Sequence, residues 1–213
     1  MVSRDIQSLA LVILPVISLI WLVMGVGIIG AIMPNYSHVS QFMSALGAVS
    51  APFANWANYA VFLIAEIPLL VFLALLSRRL SKTRAQRISI LLLLAYTILL
   101  IFAALLPCDV ACDSHESGSE FKNTSTHIAH MFIAAIAYPL ALIGLLPLFL
   151  STPKNTIMHR FAVPLVMTGF CLFFAIVLMP ETQGLFQRLL EVLIYVQLIM
   201  LGFYAASNVK QTE

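Results

Sequence analysis

The sequence predicts an all-α polytopic membrane protein, a bundle of six transmembrane helices with both termini cytoplasmic. Three observations carry this. Hydrophobic residues make up 62% of the chain and charged residues 9%, against about 25% charged in soluble domains, and mean hydropathy is +1.02. Six apolar runs match the roughly 20 residues that cross about 30 Å of hydrocarbon as helix: Leu9–Met33, Trp56–Ser77, Ile88–Leu106, Thr126–Leu150, Met158–Met179 and Leu185–Ser207. The charges, finally, are sorted by side.

Arg4, Arg78, Arg79, Lys82, Arg84, Arg87, Lys154, Arg160 and Lys210 fall before span one, in the even-to-odd links or after span six. The alternate loops hold only Lys122 and Arg188, together with Asp109, Asp113, Glu116, Glu120 and Glu181. The positive-inside rule then puts the acidic loop on the outer, periplasmic or extracellular face of the cell (inner) membrane. With charge so distributed, the net +2 implies no nucleic-acid partner; membrane lipid is the expected one, and no oligomeric state is assigned. Short links leave no room for a second domain, so residues 1–213 are read as one. The first run is longer than a signal-peptide core and lacks a small-x-small cleavage site, which predicts a retained helix.

Spans one, three and five each stop at an apolar residue, Met or Leu, then proline (Pro34, Pro107, Pro180) and a polar residue. Proline past a helix end is an ordinary stop signal; three related hairpins delivering polar groups to one surface is the alternative. In the first outer loop, Val39, Phe42, Met43 and Leu46 share a helical face, with Ser37, Gln41 and Ser44 opposite. This predicts a short interfacial helix, greasy side down, or a lid over the site to which His38 contributes.

Span two carries Glu66 roughly 15 Å from its outer end. A carboxyl at that depth is expected to face the bundle interior with a partner, and Asn55, Tyr59 and Phe62 are placed on its face as a polar track. Span four opens with His127 and His130 on one face, with Tyr138 deeper and Pro139 as a candidate kink. Span six aligns Arg188, Glu191 and Tyr195; Arg188 is offered Glu191, Glu181 or Glu66 as partners, or the headgroups by snorkelling. The basic link between spans two and three needs only anionic headgroups to explain it.

The one long polar passage, Pro107 to His130, concentrates carboxylates, imidazoles and thiols, the groups that bind metals and move protons. Cys108 and Cys112 would lie about 6 Å apart on a helix, within disulfide range. A loop staple is read first, metal thiolates second and a redox pair third; Cys171 is read as packing.

On the motifs Y-S-H-V-S-Q-F-M-S-A-L-G (36–47), P-C-D (107–109), the histidines opening span four and G-L-F-Q-R (184–188), the chain resembles the bacterial and archaeal six-helix membrane proteins of domain of unknown function family 998. The resemblance covers nearly the whole chain. It gives prominence to Ser44, Asp109, His127 or His130, and Arg188, and implies no activity, since none is established for that family. The paired cysteines are not expected family-wide. A looser similarity is to the ceramidase and progestin-receptor-like membrane hydrolases, which gather serine, aspartate and histidines around a metal, usually in seven helices with H-x-x-x-H. Here there are six helices, and two residues separate the histidines.

Three functional classes follow. A metal-assisted hydrolase would hold an ion such as zinc on Asp109, His127 and His130, with Asp113 or Glu181 as base, Ser44 positioned nearby and Arg188 gripping a phosphate or carboxylate. Its substrate would be a lipid or amphiphile arriving by lateral diffusion. A proton- or cation-coupled transporter would use Glu66 and Glu191 as a path, although the cytoplasmic halves of the spans offer no matching polar groups. A membrane scaffold with a structural polar cap is the third reading.

Overall fold

The structure, a computed structural model, describes residues 2–80, 82–112 and 123–207. Among these residues every regular element is helical, and six helices are long and apolar enough to cross a membrane. They are α1 (Val2–Ile32), α2 (Leu63–Leu80), α3 (Arg84–Leu105), α4 (Ser125–Leu150), α5 (Ile157–Leu178) and α6 (Gln183–Ser207). A π-helical stretch, Trp56–Phe62, runs directly into α2.

The ends follow from local chemistry. Thr83, Thr124 and Thr156 cap α3, α4 and α5, each hydroxyl accepting the backbone N–H three residues on. At α3 the Gln86 side chain returns the bond to the Thr83 N–H at 3.0 Å, completing a capping box. Pro34, Pro107 and Pro180 follow α1, α3 and α5, where a residue without an N–H cannot extend the helix.

Each helix packs on its chain neighbours and α6 returns to α1, closing a ring in sequence order. Aliphatic and aromatic surface faces outward all round this ring, including Ile17, Met24, Leu91, Phe132, Val163 and Phe203, each at least 46% exposed. Helices so coated at spanning length belong in hydrocarbon, and the protein is a multi-pass membrane protein. Toward the ends carrying the basic links, the interior is filled by Leu69, Phe72, Leu73, Leu76, Leu145 and Leu148, all fully buried.

The first loop departs from the interfacial helix that its periodicity suggests. Residues 33–42 form turns, and only a short 3₁₀ turn follows, Met43–Gly47. Met43 and Leu46 are buried in the main core while Val39 is 47% exposed. The apolar side chains do reach a greasy environment, but it is the inside of the bundle, because α6 offers polar anchors that draw the loop inward.

Candidate functional site

The first loop, the segment after α3 and the start of α4 meet in one cap. Cys108 and Cys112 form a disulfide with Cα atoms 5.2 Å apart, and the Val49 N–H donates to the Cys108 carbonyl at 2.8 Å, stitching the first loop to the second. Both carboxylate oxygens of Asp109 accept from Thr124, at 2.9 Å from its N–H and 2.7 Å from its hydroxyl. These two bonds hold the Asp109 carboxyl below its ordinary range. A depressed carboxyl stabilises above its unfolded-state pKa, so this tie persists on acidification until pH falls through the lowered value. The Asp109 N–H donates to His127 Nδ1 at 3.1 Å.

His130 lies beside the disulfide and reaches back to the end of α3. Its Nδ1 lies 2.9 Å from the Ala103 carbonyl and 2.8 Å from that of Leu106, which makes Nδ1 the protonated nitrogen. Among the described residues, the metal-capable donor atoms lying within 4.8 Å of one another are those of Cys108, Cys112 and His130, and both sulfurs belong to the disulfide. Asp109 and His127 are not in that group. Both are engaged in starting α4, and among the described residues Asp109, His127 and His130 do not form a metal-capable cluster. Asp113 lies outside the described residues, and Glu181 is exposed on the turn after α5.

Thiol chemistry gives a direct check on the staple. Labelling of denatured, unreduced protein is expected to modify Cys171 alone, and prior reduction to expose all three cysteines. Three labelled thiols without reduction would show the bond does not form.

Arg188 is committed to the first loop instead of to a carboxylate. Nη1 donates to the carbonyls of His38 at 2.8 Å, Gln41 at 3.1 Å and Gly184 at 2.7 Å, while Nη2 donates to the Tyr36 hydroxyl. The guanidinium also stands 5.7 Å from the Tyr36 ring centroid, within cation–π range. Gly184 permits this approach, since a Cβ there would run into the Gln41 carbonyl oxygen. Burial holds the Tyr36 phenol above its ordinary range, with Arg188 opposing. Burial first, then Arg188, hold His38 below its own.

Beneath this lid lies a cavity of about 340 Å³. Phe42, Met43 and Ser44 roof it, Phe62, Leu100 and Phe173 are among its apolar walls, and Asn58, Glu66, Gln187 and Glu191 supply polar groups. His130, Tyr138 and Cys112 also line it. Its exposed lining residues are Ala135 on α4 and Val177 and Pro180 at the end of α5. They mark a mouth between those two helices, facing where lipid lies.

The polar wall has a defined hydrogen-bond order. Gln187 Oε1 accepts the Met43 N–H at 2.8 Å, which fixes its amide and turns Nε2 to the Tyr138 hydroxyl, 3.4 Å away. Tyr138 in turn faces Glu191, and Tyr96 donates to Glu191 Oε1 at 2.8 Å. Glu66 lies within electrostatic reach of Glu191. Each is only 4% exposed, and Oε2 of each has no hydrogen-bond partner among the described residues. Tyr195 belongs to a separate chain deeper in the bundle. The single hydroxyl hydrogen of Ser18 goes to the Ala65 carbonyl, so Tyr195 must be the donor in its 3.1 Å bond to Ser18.

Asn58, Gln187, Tyr96 and Ser18 escape the reading of the sequence alone. Gln187 sits inside the G-L-F-Q-R motif and Tyr96 is a lone polar tip mid-span, so both carry a signal. Asn58 carries none, because Asn55 and Tyr59 hold the α-helical phase with Glu66. Both are exposed, Tyr59 at 51%. In the π-helical stretch Asn58 turns inward instead, donating to the Gly47 carbonyl at 2.8 Å.

The fold and the cavity define a class: a polytopic membrane protein with a mostly apolar chamber that carries a few buried polar groups and has its exposed lining residues on α4 and at the end of α5. A family comparison then places the chain. Residues 16–204 match the family described as "Protein of unknown function (DUF998)", and the chain belongs to that family. No curated protein and no solved structure gives a match.

Proposed function

We propose that this protein is a membrane-embedded receptor or carrier for an amphiphile, taken from the bilayer through the gap between α4 and α5. One observation carries the reading: two buried glutamates, Glu66 and Glu191, each with one oxygen lacking a hydrogen-bond partner among the described residues, line a chamber whose other walls are largely apolar. Polar atoms left bare in a low-dielectric interior cost free energy that a ligand's donors recover. The chamber's size is typical of small-molecule sites. Its lid is tied by Arg188, and its polar wall by Gln187, so the pocket is built before a ligand arrives.

The fully buried side chains below the chamber support binding over conduction. Leu69, Phe72, Leu73 and Leu76 are fully buried there, and the buried polar side chains among them (Ser18, Ser89, Thr97, Tyr195 and Gln197) carry no charge. Metal-assisted hydrolysis draws less from the site, since the Asp109 oxygens, His127 Nδ1 and both outer sulfurs already have partners. Ser44 and His130 do line the chamber, where they would contact the bound headgroup.

A lipid bearing a photoreactive diazirine on its chain tests the reading. Crosslinks are expected to concentrate at Ala135 and Val177, and Ala135→Trp to remove them while the protein stays folded. Equal labelling of Phe203 on the far surface, unchanged by the tryptophan, would sink it. The chamber is further proposed to face outward, from the sorted basic residues. A reporter after Glu213 should then read cytoplasmic and one inserted near Ser117 external; an external reading at Glu213 would invert the site.

A further inference from the structure

We infer that the chamber selects an amphiphile with a cationic amine headgroup, seated between Glu66 and Glu191 with its hydrocarbon chain leaving through the gap between α4 and α5. This rests on the amphiphile-binding reading above and adds the headgroup. The first ground is charge. None of the cavity-lining residues is Lys or Arg, while two are glutamates. Arg188, the permanent cation on α6, directs Nη1 and Nη2 to Tyr36 and the carbonyls of His38, Gln41 and Gly184. His130 points Nδ1 at two backbone carbonyls. Glu66 and Glu191 therefore line one chamber with no Lys or Arg among its lining residues, and a buried acidic pair is relieved by a positive partner.

The second ground is hydrogen-bond stoichiometry. Tyr96 satisfies one oxygen of Glu191, and Oε2 of both glutamates remains without a donor. A primary ammonium brings three N–H donors on one atom and no acceptor. Admitted between the two carboxyls, such a head brings donors for Glu66, for Glu191 and for the Tyr138 hydroxyl on the same wall. A fatty acid would add a third carboxyl to the pair, and an alcohol has a single hydrogen to give.

The third ground separates an organic cation from an inorganic one. Phe42, Phe62, Tyr138 and Phe173 contribute aromatic surface to the chamber and Leu22, Leu100 and Ile176 aliphatic surface. An alkali ion asks for a shell of oxygen ligands, which these walls do not supply, whereas an alkylammonium head favours aromatic faces and its chain favours the apolar ones.

The test is competition for the diazirine-lipid crosslink, on full-length protein in neutral-lipid nanodiscs. The competitors are dodecylamine, dodecanol and dodecanoate, each below its aggregation concentration, and sodium or potassium chloride. Dodecylamine is expected to compete at least ten-fold better than dodecanol or dodecanoate, and Glu66→Gln to abolish that preference while leaving the crosslink itself. Glu191→Gln should do the same. Since Tyr96 and Tyr138 are organised around Glu191, Glu66→Gln carries the test if that variant misfolds, with Gly27→Val, outside the chamber lining, as the control expected to retain the amine preference. Equal competition by amine and alcohol would overturn the headgroup assignment while the amphiphile site stands. Competition by sodium or potassium in place of the amine would reassign the pair to an inorganic ion. An amine preference that survives Glu66→Gln would place the charge recognition elsewhere and overturn it too. Crosslinking that no amphiphile displaces would remove the site reading and this inference together.

Discussion

Arg188→Ala is expected to destabilise the protein by about 3 kcal/mol, on the scale of losing several charge-assisted hydrogen bonds at a half-buried site. Its guanidinium gathers the carbonyls of His38, Gln41 and Gly184 and the Tyr36 hydroxyl at one point, and without it the loop from Tyr36 to Phe42 loses its anchor on α6. Arg188→Lys should recover only part of this, because an ammonium is a point donor and cannot hold acceptors in a planar fork. Gly184→Val should mimic the alanine variant by another route, its side chain colliding with the Gln41 carbonyl oxygen. The measurements are thermal unfolding in detergent and protease cleavage within residues 36–47. An Arg188→Ala protein that melts and resists protease like the parent would show that the loop is held by something else.

Gly202→Val is expected to produce a loss of similar or greater size, and to prevent accumulation of folded protein if the cost adds to an already marginal balance. Where α6 crosses α1, a Cβ on Gly202 would strike the backbone carbonyl oxygen of Leu11 and press on Phe72. Backbone cannot swing aside as a side-chain tip can, so the two helices must separate and the fully buried Leu11 loses contacts. In membranes small residues occupy such positions because they let helices approach, since lipid offers no hydrophobic drive between them. Gly27→Val is the matched control. Gly27 is exposed on α1, and a Cβ added there would meet nothing within 4 Å, so near-parental yield and melting are expected. Equal tolerance of both valines would refute close packing of α1 on α6.

The spans were legible because hydrocarbon imposes one rule on every residue within it, and the apolar runs mark α1 to α6 with ends displaced by a few residues. The stop at each proline was readable for the same local reason. Glu66 and Glu191 stood out in the sequence because a carboxyl on a lipid-facing surface would be too costly. What the sequence did not reveal is direction at the loop ends. Val39, Met43 and Leu46 repeat at helical spacing whether their apolar neighbour is a bilayer or a protein core, and only the distant Gln187 and Arg188 decide between them. Asp109 and His127 are hydrogen-bonded neighbours in the fold, yet spacing cannot tell a metal site from a helix cap. Thr124, which takes both Asp109 oxygens, is one of several plain hydroxyl residues in that polar passage and nothing in its sequence context sets it apart.

The π-helical stretch at Trp56–Phe62 bears on how this family is to be read across species. Such a turn holds one residue more than the α-helical turn it replaces, and here it rotates Asn58 toward the Gly47 carbonyl and sets Asn58, Phe62 and Glu66 along the chamber wall. Relatives with a regular α-helix at this point would align with a single-residue gap inside a hydrophobic span, where gaps are ordinarily scored as errors. Forcing the gap into the preceding loop would shift Asn58 by one column and make a retained chamber residue look variable. An alignment that includes this chain is therefore best read with any such gap left inside the helix.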